Sequence, residues 1–210
     1  KTATKKTTTK KRIVNQTYEH DNKTDIKFGV KIYTDKMYLI THYSDGSKKS
    51  ELISNSIRYN RSEYNASLSE LETEARKMVT KNNSIYNEML SYVNQYRKEV
   101  NVEALTLDDE LSVLASIRAL ELGWGMGVER VLHERPDGRS WHTVYTDMNY
   151  SHIAAGENIA AGQDSVSYVS NAWKKSEGHY KNMISTNYTK AGFGVVEVDN
   201  VKYWVQLFAK

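Results

Sequence analysis

Apolar positions change their period along the chain, and the changes divide it. From residue 26 to 54, "IKFGVKIYTDKMYLITHYSDGSKKSELIS" sets β-branched and aromatic residues in partial alternation with polar ones. The turn signals Asp35-Lys36 and Ser44-Asp45-Gly46-Ser47 interrupt it, which predicts a small antiparallel β-meander over 13–64. Ile32, Tyr38, Ile40 and Tyr43 are its expected buried residues. So small a sheet is marginal alone.

The period then lengthens. Ser67 with Glu70 three residues on forms a capping-box pattern, and Leu68, Leu71, Ala75 and Val79 follow at helical spacing. A connecting helix over 65–83 is predicted, ended by Asn82-Asn83-Ser84. From Ser84 the helical pattern resumes, with Ile85, Met89, Tyr92, Val93, Tyr96 and Val100 on one face. Another helix starts at Asp108 as N-cap, carries Leu111, Leu114, Ala115, Arg118 and Leu122, and stops at Gly123. "SWHTVYTDMN" predicts a short helix with Trp141, Val144, Tyr145 and Met148 inward. "DSVSYVSNAWKKSE" predicts one capped by Asp164 that buries Val166, Val169 and Trp173. The end, "GFGVVEVDNVKYWVQLFA", reads as a hairpin about Asp199-Asn200, with Trp204, Phe208 and Tyr203 as core. Asn158 and Gln206 are polar in apolar surroundings and, if buried, are expected to bond main chain. The whole is an α+β chain.

Composition narrows the function classes. With 39% hydrophobic and 10% aromatic residues the chain is too apolar for disorder, and no apolar run approaches a membrane span, so a soluble, not membrane-spanning protein is expected. The net charge is +3, but Lys1, Lys5, Lys6, Lys10, Lys11 and Arg12 put six positive charges into residues 1–12, leaving −3 for the rest. That Thr/Lys-rich stretch reads as a flexible tail or wall-proximal spacer, and no nucleic-acid partner is expected. With no cysteine, neither a disulfide nor a thiolate metal site is available. A chain that begins at Lys1 without Met is expected to be a processed product whose signal peptide has been removed.

Three segments of the second half carry polar residues that packing does not explain: "HERPDGRSWHTVY" from His133, "AAGENIAAG" around Glu157, and "AWKKSEGHYKNM" around His179. Glycines at 156 and 162 flank Glu157 and permit close backbone approach around a carboxylate. Arg135 to Gly138 form a turn with a structural duty. His142, His152, His20 and His42 suit surface or capping roles.

Five stretches, "YVNQYRKEVNVEALTLDDEL", "LHERPDG", "GENIAAG", "AWKKSEGHYKNMI" and "YWVQLFAK", come in one order, and with them residues 84–210 resemble a CAP domain in its bacterial form. This is the superfamily of cysteine-rich secretory proteins, antigen 5 and pathogenesis-related proteins. The resemblance implies a CAP-type α-β-α sandwich, preceded here by the meander and connecting helix, and an extracellular or cell-surface location. It implies a cleft gathering two histidines and two acids. The motif positions give His133, Glu157 and His179, whereas the family's second glutamate falls on Ser176, with Glu177 one residue later.

Imidazoles of His133 and His179 then suit zinc or another divalent cation, with Glu157 holding a water or orienting one ring. The rival structural reading has both rings simply bonding Glu157. Three functions follow as expectations: a binding module for an extracellular lipid, peptide or cell-wall component; a metal-dependent hydrolase or protease with Glu157 as base; and a wall-binding protein acting through the N-terminal meander. A nucleophilic Ser176 with His179 as base is a further catalytic arrangement, though no nucleophile elbow accompanies it.

Overall fold

The computed structural model describes residues 11–27, 30–59, 61–125 and 133–210, leaving aside the side chains of 25–34, 55–63 and 124–132. The tail up to residue 10 and the side chain of Ile32 therefore lie outside the described residues. The chain divides into two units, the first made of most of residues 11–58 and the second dominated by residues 59–210.

The first unit is a three-stranded sheet in the order β1 (Ile13–Lys27), β2 (Val30–Tyr43), β3 (Lys48–Tyr59). The turn at Ser44-Asp45-Gly46-Ser47 forms as its sequence predicts, with Gly46 at φ 81° and its N–H donating to the Tyr43 carbonyl at 3.0 Å. The break expected at Asp35-Lys36 does not occur, because β2 runs straight through it and Asp35 reaches across to the His20 ring at 2.8 Å. Ile40 is buried as expected, while Tyr38 and Tyr43 are only half-buried.

The second unit begins with α1 (Arg61–Ala66) and α2 (Leu68–Glu99). The predicted end of a connecting helix at Asn82-Asn83-Ser84 is overturned: α2 is continuous across it for 32 residues. Its inward face explains why, since Leu71, Ala75 and Met78 on one side of the asparagines and Tyr86, Met89, Val93 and Tyr96 on the other are all buried. Burial of that continuous stripe outweighs the modest helix propensity of Asn and Ser. Ser67 occupies the N-cap position but makes no side-chain cap, its hydroxyl donating to the Tyr64 carbonyl instead.

Then come β4 (Thr106–Leu107), α3 (Asp109–Gly125), α4 (Thr143–Asp147), β5 (Ala155–Ala161), α5 (Val166–Lys175), α6 (Glu177–Met183), β6 (Lys190–Val198) and β7 (Val201–Ala209). Asp108 caps α3, its carboxylate accepting from Leu111 N–H at 2.9 Å. That helix passes Gly123 and continues to Gly125. The cap of α5 is Ser165 rather than Asp164. Asp199 and Asn200 both have positive φ, 52° and 63°, the backbone a two-residue hairpin between twisted strands requires.

The strands form one sheet in the order β4-β6-β7-β5, so among the described residues β5 is an edge strand paired only with β7. Alternation along β7 separates two cores. Tyr203, Val205, Leu207 and Ala209 pack with α3 and α4, while Trp204 and Phe208 pack with α2, α5 and α6. Helices thus cover both faces, giving the expected α-β-α layering. The same alternation on β5 decides the site. Glu157 has the parity of Ile159 and faces α3, whereas Asn158 faces α6.

Candidate functional site

Edge strand β5 places Glu157 where two layers end. Its carboxylate has no exposed surface, and both oxygens are engaged: Oε1 accepts from Arg118 Nε at 2.8 Å, and Oε2 lies 2.6 Å from His133 Nδ1. His133 itself is half exposed, so a fixed buried acid orients a ring that meets solvent.

Behind Glu157 runs a buried chain of charges. Arg118 also donates to Glu121 at 2.5 Å. Glu121 in turn accepts from Arg135 at 2.7 Å and from the Tyr64 hydroxyl, and Arg135 reaches Asp147 at 2.6 Å. Burial acts to raise the Glu121 carboxyl, but the guanidiniums of Arg135 and Arg118 outweigh it and hold it below the usual carboxylate range. Burial and the neighbouring Glu121 push the Tyr64 hydroxyl far up, so it remains a neutral donor. The turn from Arg135 to Gly138 therefore has the structural duty its sequence suggested, with Gly138 at φ 81°. Arg135 adds a buried anchor two residues along the chain from His133.

The second histidine arrives on the opposite side of β5. Asn158 Nδ2 donates to the His179 carbonyl at 3.0 Å, and Asn182 Nδ2 donates to the Glu157 carbonyl at 3.1 Å and to Asn158 Oδ1 at 2.9 Å. These amides fasten α6 to the free edge of β5. Asn158 also donates to Gln206 Oε1 at 3.0 Å, so Asn158 meets main chain as expected, whereas Gln206 is held by a side chain. His179 is half-buried. Burial, and secondarily the charge of His133, hold its imidazole below its ordinary range.

Ser176 occupies the N-cap position of α6 without a side-chain cap, and its Oγ lies 2.8 Å from His179 Nδ1. Glu177 does not join the cluster. One residue further on, its side chain is 83% exposed and pairs with Lys181 at 2.6 Å, as the rotation of about 100° per helical residue directs. The structure thus pairs His133 with Glu157 and His179 with Ser176, ties β5 to α6 through Asn158 and Asn182, and leaves Glu177 out of both pairs. His142, His152, His20 and His42 stay outside them, at exposed or strand positions. Sequence reasoning missed Arg118 as a partner of Glu157. Its signal was an arginine on the apolar side of a helix, one turn from Glu121.

A zinc-like cation takes four ligands, at least three of them usually protein side chains. Glu157 has no exposed surface and already binds Arg118 and His133, and Ser176 is a neutral hydroxyl. Among the described residues no three His, Asp or Glu side chains are grouped to hold a metal. Two imidazoles alone do not fit a resident cation. The same burial keeps the Glu157 carboxylate away from a solvent water that it could activate as general base.

Comparison with known proteins supplies the family. A model described as the cysteine-rich secretory protein family matches residues 90–208. The uncharacterized protein YkwD of Bacillus subtilis is 31% identical over 120 residues, which make up 57% of this chain and 45% of that protein. The chain thus spans under half of that relative's length. An outer surface protein of Borrelia burgdorferi superposes with a TM-score of 0.54 at 26% identity, over 63% of this chain and 94% of its own. An extracellular protein of Bacillus anthracis containing an SCP domain superposes with a TM-score of 0.55 at 16% identity, over 90% of this chain and 67% of its own.

Proposed function

Starting from a chain that belongs to the cysteine-rich secretory protein family, we propose that it is a binding domain of the bacterial cell exterior, taking a cell-wall component at the cleft of His133 and His179. The observation that carries this reading is the pairing of half-exposed His133 with fully buried Glu157 at 2.6 Å. A buried acid bonded to two partners spends its capacity on aiming a ring. Aiming a ring at solvent serves recognition.

Two further facts support it. The comparisons include an outer surface protein and an extracellular protein. No helix among the described residues is long and apolar enough to cross a membrane. A cation-bound water would meet a Glu157 carboxylate that has no exposed surface and is already bonded to Arg118 and His133.

Retention on purified peptidoglycan sacculi tests the proposal, using the whole chain and a His133→Ala, His179→Ala double variant checked for native circular dichroism. The wild type is expected to be retained and the double variant released. Equal retention of both, or of neither, would overturn it.

A further inference from the structure

The outer edge of β6 is only partly used. Because Asp199 and Asn200 form a two-residue hairpin, Val198 and Val201 are a hydrogen-bonded pair, and every second residue back along β6 bonds β7. The main-chain groups of Ala191, Phe193, Val195 and Glu197 therefore point away from β7. Toward the start of the strand they find partners. Asp108 N–H donates to the Ala191 carbonyl at 3.0 Å, Phe193 N–H donates to Ser112 Oγ at 3.3 Å, and Val195 N–H meets the Tyr86 hydroxyl. Beyond Tyr86 the capping stops. Among the described residues nothing bonds the Val195 carbonyl or the N–H and carbonyl of Glu197.

These groups border a cavity of about 580 Å³ between α2 and the end of the β6-β7 hairpin. Its apolar walls lie on both faces of the sheet, Leu120 of α3 on one and Ile85 and Trp204 on the other. Its charges are unevenly matched. Glu74 and Lys77 pair with each other at 3.1 Å, and Lys202 donates to the Asp164 carbonyl at 2.7 Å. Lys81 is exposed and has no ion pair among the described residues, so the lining keeps a cation in excess.

We propose that the β6 edge from Val195 to Val198 docks an extended peptide segment of a partner protein, apolar at its centre and acidic at its ends, which adds a strand beside β6. The chain holds its own precedent. β4 already runs parallel along this edge, with Thr106 N–H donating to the Thr189 carbonyl at 3.0 Å and Asp108 N–H to Ala191. A guest running the same way repeats that pattern further along. The residue opposite Val196 gives its N–H to the Val195 carbonyl and accepts from Glu197 N–H, and the residue two further on donates to the Glu197 carbonyl. Alternate side chains then meet Leu120 and Trp204, and the acidic ends meet Lys81 and Lys202.

A lipid would fill the apolar walls equally well. It would leave the carbonyl of Val195, a residue only 8% exposed, without a donor. The site owes nothing to His133 or His179, which stand by β5 and α6 on the other side of β7.

The test adds the peptide acetyl-Glu-Val-Ile-Val-Glu-amide to the full chain labelled with ¹⁵N. The Glu197 amide signal is expected to move downfield and its hydrogen exchange to slow about 10-fold, as one main-chain bond allows. The same peptide methylated at its central nitrogens keeps every side chain and loses its donors, and is expected to bind about 10-fold more weakly. Glu197→Pro removes the N–H that faces the cavity without touching the ladder to β7, and is expected to weaken the unmodified peptide by a similar factor. Should that variant unfold, Lys81→Glu takes its place, with weaker peptide binding expected at an unchanged melting temperature.

Equal affinity for the methylated peptide, a Glu197 amide that ignores the unmodified one, or undiminished binding by the folded variants would overturn the inference. Glu197 shifts that follow protein concentration without any peptide would give the edge to a second copy of this chain instead, and so overturn it too. The His133→Ala, His179→Ala double variant is expected to bind the peptide like the wild type. Loss of peptide binding in that variant would move the peptide to the histidine cleft, whereas failure of sacculus retention alone leaves the β6 edge unaffected.

Discussion

Arg118 Nε stands 2.8 Å from Glu157 Oε1, and neither side chain has any exposed surface. Removing one member leaves a buried charge that water cannot reach, a loss of about 3–5 kcal/mol. Arg118→Ala is therefore expected to lower unfolding free energy by about that amount in urea titration. An exposed pair would contribute only about 0–1 kcal/mol. A loss within that smaller range would deny the burial on which the aimed ring depends.

The approach of β6 to α3 gives a second, sharper test. A Cβ placed on Gly194 would lie 2.2 Å from the Ala115 carbonyl oxygen, and one on Gly192 2.3 Å from the Leu111 carbonyl carbon. These are backbone atoms of a packed helix and cannot swing aside. Gly194→Ala is expected to cost about 3 kcal/mol, at the upper end of overpacking penalties. Gly178 on α6, with nothing within 4 Å of its added Cβ, is the control. Its replacement by alanine is expected to be neutral or to stabilise by about 0.5–1 kcal/mol, and thermal unfolding of the two variants reads the contrast.

Local chemistry and motif order carried much of this structure into the sequence. Asp199-Asn200 announced its hairpin because the turn is decided by two residues, and Asp108 announced its helix because a cap is local. The ordered stretches around Glu157 and His179 marked two segments, β5 and α6, that lie side by side. What was not legible depends on partners distant along the chain. Asn82-Asn83-Ser84 reads as a helix end until Tyr86 and Met78 are seen buried along one stripe. Arg118 reads as one more helix residue until Glu157, 39 positions on, is set against it. Choosing between Ser176 and Glu177 required the start of α6, because a shift of one residue there exchanges a ring partner for a solvent-exposed salt bridge.

His179 predicts the pH response. Burial first, and the charge of His133 second, hold its imidazole below the ordinary value. The unfolded chain, with a pKa of about 6.5, then binds the proton more readily than the folded one. Its contribution is fully present above that value, declines as pH falls through it, and stops changing below the folded pKa. Replacing His179 with Gln removes the difference in proton uptake. Urea unfolding at a series of pH values between about 5 and 8 is expected to give a flatter profile for His179→Gln than for the wild type. Parallel profiles would show that the ring titrates alike in both states.

Arg97 holds the far end of the helix that carries His179. Its guanidinium is buried, and it donates to the carbonyls of Met183 at 2.9 Å, Ser185 at 2.8 Å and Glu103 at 2.5 Å. Burial pulls it below the usual arginine range, so carbonyl dipoles supply the compensation that a carboxylate gives elsewhere. Arg97→Met keeps much of the volume but strips the carbonyls of their donor, at an expected cost of about 1–3 kcal/mol. Arg97→Lys is expected to recover only part of this, because a single ammonium cannot reproduce a planar fork. Since Asn158 still grips the His179 carbonyl, the loosening should begin at the C-terminal turn of α6. Hydrogen exchange is accordingly expected to accelerate at residues 181–184 in Arg97→Met while α3 keeps its protection. A uniform rise in both helices would mean that Arg97 supports the whole layer packing rather than the helix that presents His179.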